Sequence, residues 1–192
     1  MKSIQLVVVL SLFFAISGNA NAFQLDVKVS NPADRFTIGI PTTWKEKIYP
    51  TEAGTSYAYW DGVGNAITIT VKKTNSFKEL LKMISNNEVS RSQLLELENY
   101  FQQEAPEKLY LSLSLETIAN HRALVQTYIL SHEALEQHAL IKTRSYDHIK
   151  GEKQYQVSFS PPPQKNKKLA DYMFDYTYEM FFHDILATLM IK

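Results

Sequence analysis

From Leu109 to Ser160 the chain repeats one pattern: LYLSLSLETI, then Ala123 to Leu130, then Ala139 to His148, then, past Gly151, Gln154 to Ser160. Apolar and polar residues alternate, and a period of two sends successive side chains to opposite faces of a strand. No segment of helical spacing interrupts the run. Strands joined by short turns pair antiparallel, because a parallel pair needs a crossover of a dozen or more residues. The triple proline Pro161 to Pro163 stops the last strand, since proline has no amide for the ladder. Any fold open to this chain is therefore built on an antiparallel sheet.

The rest of the sequence supplies more strands and their cover. LDVKV (Leu25 to Val29), FTIGI (Phe36 to Ile40), SYAYW (Ser56 to Trp60) and AITITVK (Ala66 to Lys72) alternate in the same way. DGVGN, between the last two, carries the Asp-Gly and Gly-Asn pairs of a tight hairpin. At Ser76 the period changes. Ser76 with Glu79 forms a capping box, and Phe77, Leu80, Leu81 and Ile84 follow at helical spacing, as do Leu94, Leu95, Tyr100 and Phe101. The segment Lys168 to Ile191 also reads as a helix. The order predicts an α+β domain with helices over a central twisted antiparallel sheet. ALVQTYIL (Ala123 to Leu130) is apolar at too many positions for a one-sided strand, so its part of the sheet is expected to be covered on both faces.

The opening residues predict export. Lys2, the apolar run Ile4 to Ile16 and Ala20-Asn21-Ala22 form the three regions of a secretory signal peptide, cleaved after Ala22 and too short to span a bilayer. What remains, residues 23–192, is one domain long enough for a sizeable core. Cysteine is absent, which excludes disulfides and thiolate chemistry. Basic and acidic residues are equal at 20 each, so nothing declares the basic face of a nucleic-acid binder.

A strand of the form F-x-I-x-I-P-x-x-W (Phe36 to Trp44), the strand AITITVKK, a helix opening SFKEL and the closing order QYQVSFS followed by a helix ending ILATL resemble the PsbP-like superfamily. That superfamily includes the extrinsic PsbP protein of photosystem II, the Ran-binding Mog proteins and bacterial exported proteins. The resemblance implies an α/β/α sandwich about a central antiparallel sheet. It also implies a binding or assembly task, although its members share no single activity.

Candidate sites are few. His132 and His138 in SHEALEQH are the metal candidates; their separation of six is not the four of a zinc helix, yet a hairpin between the flanking strands would bring both to its mouth. His121-Arg122, Asp147-His148 and His183-Asp184 pair titratable residues, but strand neighbours face opposite ways. There is no G-x-S-x-G elbow and no phosphate loop. QKNKK (Gln164 to Lys168) reads as a solvated basic loop. Trp44 and Trp60 are candidates for lining a small-ligand or lipid pocket between sheet and helix. In DYMFDYTYEMFF the rings spread around most of a helix, so some must leave the core; Tyr178 and Phe182 are the expected contacts for a protein partner or a second copy.

Together these features predict a periplasmic or secreted, non-catalytic binding or assembly protein of the bacterial envelope. It would need no cofactor, bind no nucleic acid and keep no transmembrane segment after cleavage. The alternatives are a hydrolase with its site near His132 and His138, and a small-ligand or lipid carrier.

Overall fold

The structure is a computed structural model and describes residues 24–30, 32–52, 54–73, 78–86, 88–104, 108–118, 120–132 and 139–192. The expected signal peptide, the expected Ser76 cap and His138 lie outside these residues. The strands are β1 (Leu25–Val29), β2 (Phe36–Pro41), β3 (Lys45–Thr51), β4 (Gly54–Trp60), β5 (Ala66–Lys73), β6 (Lys108–Ile118), β7 (His121–His132), β8 (Ala139–Lys150), β9 (Lys153–Ser160) and β10 (Met190–Ile191). The helices are α1 (Lys78–Ser85), α2 (Arg91–Glu104), α3 (Lys167–Thr177) and α4 (His183–Ala187), with a π-helical turn, Tyr178–Phe182, between the last two. Among the described residues the strands form two sheets, one ordered β3-β4-β5-β9-β8-β7-β6 and a small one ordered β1-β2-β10. Every pairing is antiparallel.

The large sheet is apolar on both faces only where both are covered. On one face Tyr57, Tyr59, Ile67, Ile69, Val157, Phe159 and Val125 pack beneath Phe174, Phe182, Ile185 and Leu186 of the closing helices and Phe36, Ile38 and Ile40 of β2. Each such ring or branched chain contributes on the order of 2 kcal/mol by leaving water. On the other face Leu124 and Ile149 meet Ile84 of α1, with Leu80, Leu94 and Phe101 around them. Thus β7 carries Val125 into one core and Leu124 into the other, as the apolar excess of ALVQTYIL predicts. Towards β4, β5 and β9 the second face is paved instead with hydroxyls that bond across strands, Ser56 to Thr70 at 2.9 Å and Thr143 to Ser160 at 3.0 Å.

Turns follow their chemistry. In DGVGN the Asp61 carboxylate accepts the amides of Val63, Gly64 and Asn65 at 2.8 to 2.9 Å. Gly54 begins β4 so close to β5 that a Cβ there would sit 2.0 Å from the Val71 carbonyl oxygen. No side chain fits this approach.

Two expectations about elements are corrected. Strand β3 has no counterpart in the sequence reading, because KEKIYPT is exposed at every position and shows no apolar alternation. Its register with β4, Lys45 opposite Trp60 to Thr51 opposite Gly54, is held by main-chain pairing. The closing helix was expected to reach Ile191, but it ends at Ala187. The Thr188 hydroxyl donates to the Ile185 carbonyl and accepts the Gly39 amide, both at 2.6 Å, so the turn is tied to β2. Met190 and Ile191 then pair with Thr37 and Phe36.

Candidate functional site

The closing helix begins at an ordinary cap, with the Asn166 side chain accepting the Leu169 amide at 3.0 Å. Its irregularity comes after Thr177, whose hydroxyl bonds back to the Met173 carbonyl at 2.6 Å. The π turn that follows takes more residues per revolution than an α-helix, which shifts the phase of the buried face. Phe174 and Phe182 are buried on either side of the half-buried Tyr178, and the core face resumes at Ile185, Leu186 and Leu189.

Under the π turn lies a polar cluster. The Tyr146 hydroxyl on β8 meets the Tyr178 hydroxyl at 2.9 Å. The Arg144 guanidinium sits 5.0 Å from the Tyr178 ring and 5.5 Å from the Tyr146 ring and pairs with Glu116 on β6. Burial first, then the bond to Tyr178, pushes the Tyr146 phenol far above its usual range, so it stays protonated. Glu116, Tyr178, His183 and Leu186 line an adjacent cleft of about 190 Å³. The Arg144–Glu116 pair and the Tyr146–Tyr178 bond tie the helix to the sheet on the wall of the cleft, while Arg144 Nε is buried without a hydrogen-bond partner.

The opposite side of the same helix faces water. Leu169, Tyr172, Tyr176 and Met180 are 44%, 63%, 48% and 52% exposed, at a spacing that puts them on one stripe. The Tyr172 and Tyr176 rings stack with centroids 6.2 Å apart. Lys142 of β8 flanks the stripe, bonded to Asp171 at 3.0 Å and Asp175 at 3.4 Å. Exposed Lys165, Lys167 and Lys168 stand at one end and exposed Glu179 and Asp184 at the other.

The candidates named from sequence separate on this frame. Tyr178 lines the cleft, while Phe182 is fully buried against Phe159 and Trp44 and is core rather than contact surface. The outward rings are Tyr172 and Tyr176; helical spacing groups them with Leu169, Met180, Ile185 and Leu189 on one apolar face, but the structure buries only Ile185 and Leu189 of these and leaves the others exposed. Trp44 packs edge-on to Phe182 at 6.1 Å in the main core. Trp60 follows core-facing Tyr59 on β4, so alternation turns it to the other face. The two tryptophans therefore do not share a pocket. His132 ends β7 opposite Ala139, with only its backbone described, and His138 lies outside the described residues. Among the described residues no group of three or more metal-ligating side chains converges.

The structure brings together a different histidine pair. His121 and His148 have ring centroids 4.7 Å apart. The His148 Nδ1 lies 2.8 Å from the Arg122 carbonyl, which only accepts, so this nitrogen carries the proton. Burial lowers the pKa of both rings, and Lys150 adds to it. That the two rings share a face follows from the β7–β8 register, which strand alternation alone does not give.

No family model matches the sequence, and no curated protein matches it. Among solved structures the chain is similar to a crystal structure from Bacteroides thetaiotaomicron VPI-5482, with a TM-score of 0.51 at 15% identity over 88% of this chain and 49% of that one. The chain thus spans about half the length of that neighbour. It is also similar to the solution structure of cyanobacterial PsbP (CyanoP) from Synechocystis sp. PCC 6803, with a TM-score of 0.51 at 9% identity over 91% of this chain and 96% of that one. At these identities the likeness concerns the fold, which is PsbP-like. Among the described residues no helix is long and apolar enough to cross a membrane.

Proposed function

We propose that the chain is an exported, non-catalytic binding or assembly protein of the bacterial envelope that docks a protein partner through the outer face of α3 and the π turn. The observation that carries this reading is the stripe Leu169, Tyr172, Tyr176 and Met180, held outward by a helix whose inner face is already filled. Tyrosine and methionine are enriched at protein interfaces, tyrosine for large contact area at low entropic cost and methionine for its adaptable, polarizable side chain. The leader-like opening supports export, and the cysteine-free composition gives no sign of thiol chemistry.

A second copy of the chain is the partner that the charges favour. The stripe runs from lysines at one end to Glu179 and Asp184 at the other, so an antiparallel copy sets Lys165 and Lys168 against the acidic end of its mate. Sedimentation equilibrium of residues 23–192 is expected to give a dimer that Tyr172→Ser with Tyr176→Ser returns to monomer. A dimer unmoved by the double variant would remove the stripe as the contact. A monomer at every concentration would remove self-association. The absence of native cysteine makes a second check clean, since Tyr172→Cys and Tyr176→Cys variants mixed together should crosslink across the two-fold axis.

A further inference from the structure

At the far end of β8 a second site is assembled from three distant parts of the chain. The β8–β9 turn, Lys150 to Lys153, lies beside the turn before β2 and the residue after β10. Arg35, Lys150, Lys153 and Lys192 line a cleft of about 480 Å³, with Tyr155 beneath and Glu152 as the acidic member. In a chain with equal numbers of acidic and basic residues this is a local excess of positive charge.

The fold fixes the main chain of Arg35 and Lys192 and the ammoniums of Lys150 and Lys153. Arg35 adopts a left-handed backbone, φ 54°, which residues with a Cβ rarely take. Its carbonyl accepts the Lys192 amide at 2.8 Å, and the next amide, Phe36, donates to the Ser30 hydroxyl at 2.8 Å. Buried Asp34 anchors the same turn, accepting the Tyr57 hydroxyl at 2.7 Å and the Lys153 ammonium at 2.9 Å. Lys150 reaches the Ile191 carbonyl at 2.7 Å. A carboxylate thus neutralises Lys153, but Lys150 is tied only to a neutral carbonyl. Among the described residues Arg35, Lys150 and Lys192 form no salt bridge. The four cations at the cleft outnumber the carboxylates of Asp34 and Glu152, and a cleft with low-dielectric walls concentrates their field.

We propose that this cleft is an anion site for a phosphate group. The planar Arg35 fork offers paired donors that match phosphate oxygens, and the lysine ammoniums complete the neutralisation as point charges. The cleft exceeds a bare phosphate in size and suits a phosphorylated headgroup or a phosphorylated soluble molecule. The site is independent of the helix stripe: Lys142, beside the stripe, and Lys150 are eight residues apart on one strand, roughly 26 Å at ~3.3 Å per residue.

Inorganic pyrophosphate is the first probe, titrated calorimetrically into the mature chain at fixed ionic strength. Vesicles of phosphatidylcholine with about a third phosphatidylglycerol, compared with phosphatidylcholine alone, form the second arm. Arg35→Gln with Lys150→Gln is expected to weaken binding about tenfold or more, and Lys192→Gln, an exposed substitution that leaves the anchored turn intact, to weaken it by less. Lys165→Gln with Lys168→Gln, at the end of the stripe, should leave it unchanged. Binding to vesicles that the cleft variants abolish identifies a lipid headgroup; binding to pyrophosphate alone with the same loss identifies a soluble phosphate. Failure of both probes, or affinities that the folded cleft variants share with the native chain, overturns the proposal.

Discussion

The hydroxyls of Tyr146 and Tyr178 lie 2.9 Å apart, and this bond joins the middle of the large sheet to the first residue of the π turn. Tyr178 also presents its ring to Arg144, which in turn holds Glu116. Replacing Tyr178 by phenylalanine keeps the ring and removes one hydroxyl from a half-buried pair, at a cost of about 1 kcal/mol. Tyr178→Ala also removes the packing on Phe159 and Phe174 and should cost clearly more. Urea unfolding of the two variants checks the order.

The two sides of the closing helix should respond in opposite ways. Phe182→Ala empties a fully buried ring site and is expected to cost about 3–5 kcal/mol. Tyr172→Ser with Tyr176→Ser touches only the exposed stripe and should shift stability by no more than about 0.5 kcal/mol per site. Thermal unfolding beside the sedimentation measurement distinguishes a lost interface from a lost fold.

Much of this architecture was readable because burial leaves a period. SYAYW and AITITVK each send every second residue into the main core, and the strands appear where that pattern puts them. Strand β3 left no such trace, since it is exposed at every position and its register comes from pairing with β4. The outward ring pair was hidden for another reason: uniform projection already sets Tyr176 about 120° from Phe182, but the stripe Leu169, Tyr172, Tyr176 and Met180 is itself apolar enough to pass for a buried face, so the pattern does not say which side meets the sheet. The basic cleft joins residues 35, 150 and 192, and no local pattern can report a contact between segments so far apart.

Gly54 is a place where one methyl group should be decisive. Its added Cβ would stand 2.0 Å from a main-chain oxygen of β5, so Gly54→Ala must push the two strands apart. A cost of about 3 kcal/mol is expected. Gly62→Ala, in open space on the neighbouring hairpin, is the matched control and should be close to neutral. Guanidinium denaturation of both variants measures the difference.

Stability should also depend on the pair His121 and His148. Both folded pKa values are lowered, chiefly by burial, so between those values and the unfolded histidine value of about 6.5 the unfolded chain binds more protons. Stability is then fully present above about pH 6.5 and is lost as the pH falls towards the folded values. Buried Asp147, whose pKa burial raises, acts with the opposite slope: stability decreases as the pH rises from about 3.9 towards its folded value. Wild type compared with His148→Gln isolates the histidine contribution, because the aspartate is common to both. Melting temperatures measured from pH 7.5 to about 5.5 should fall in the wild type and fall less in the variant, whose side chain cannot titrate. Identical slopes would mean that His148 is accommodated equally well with its second proton.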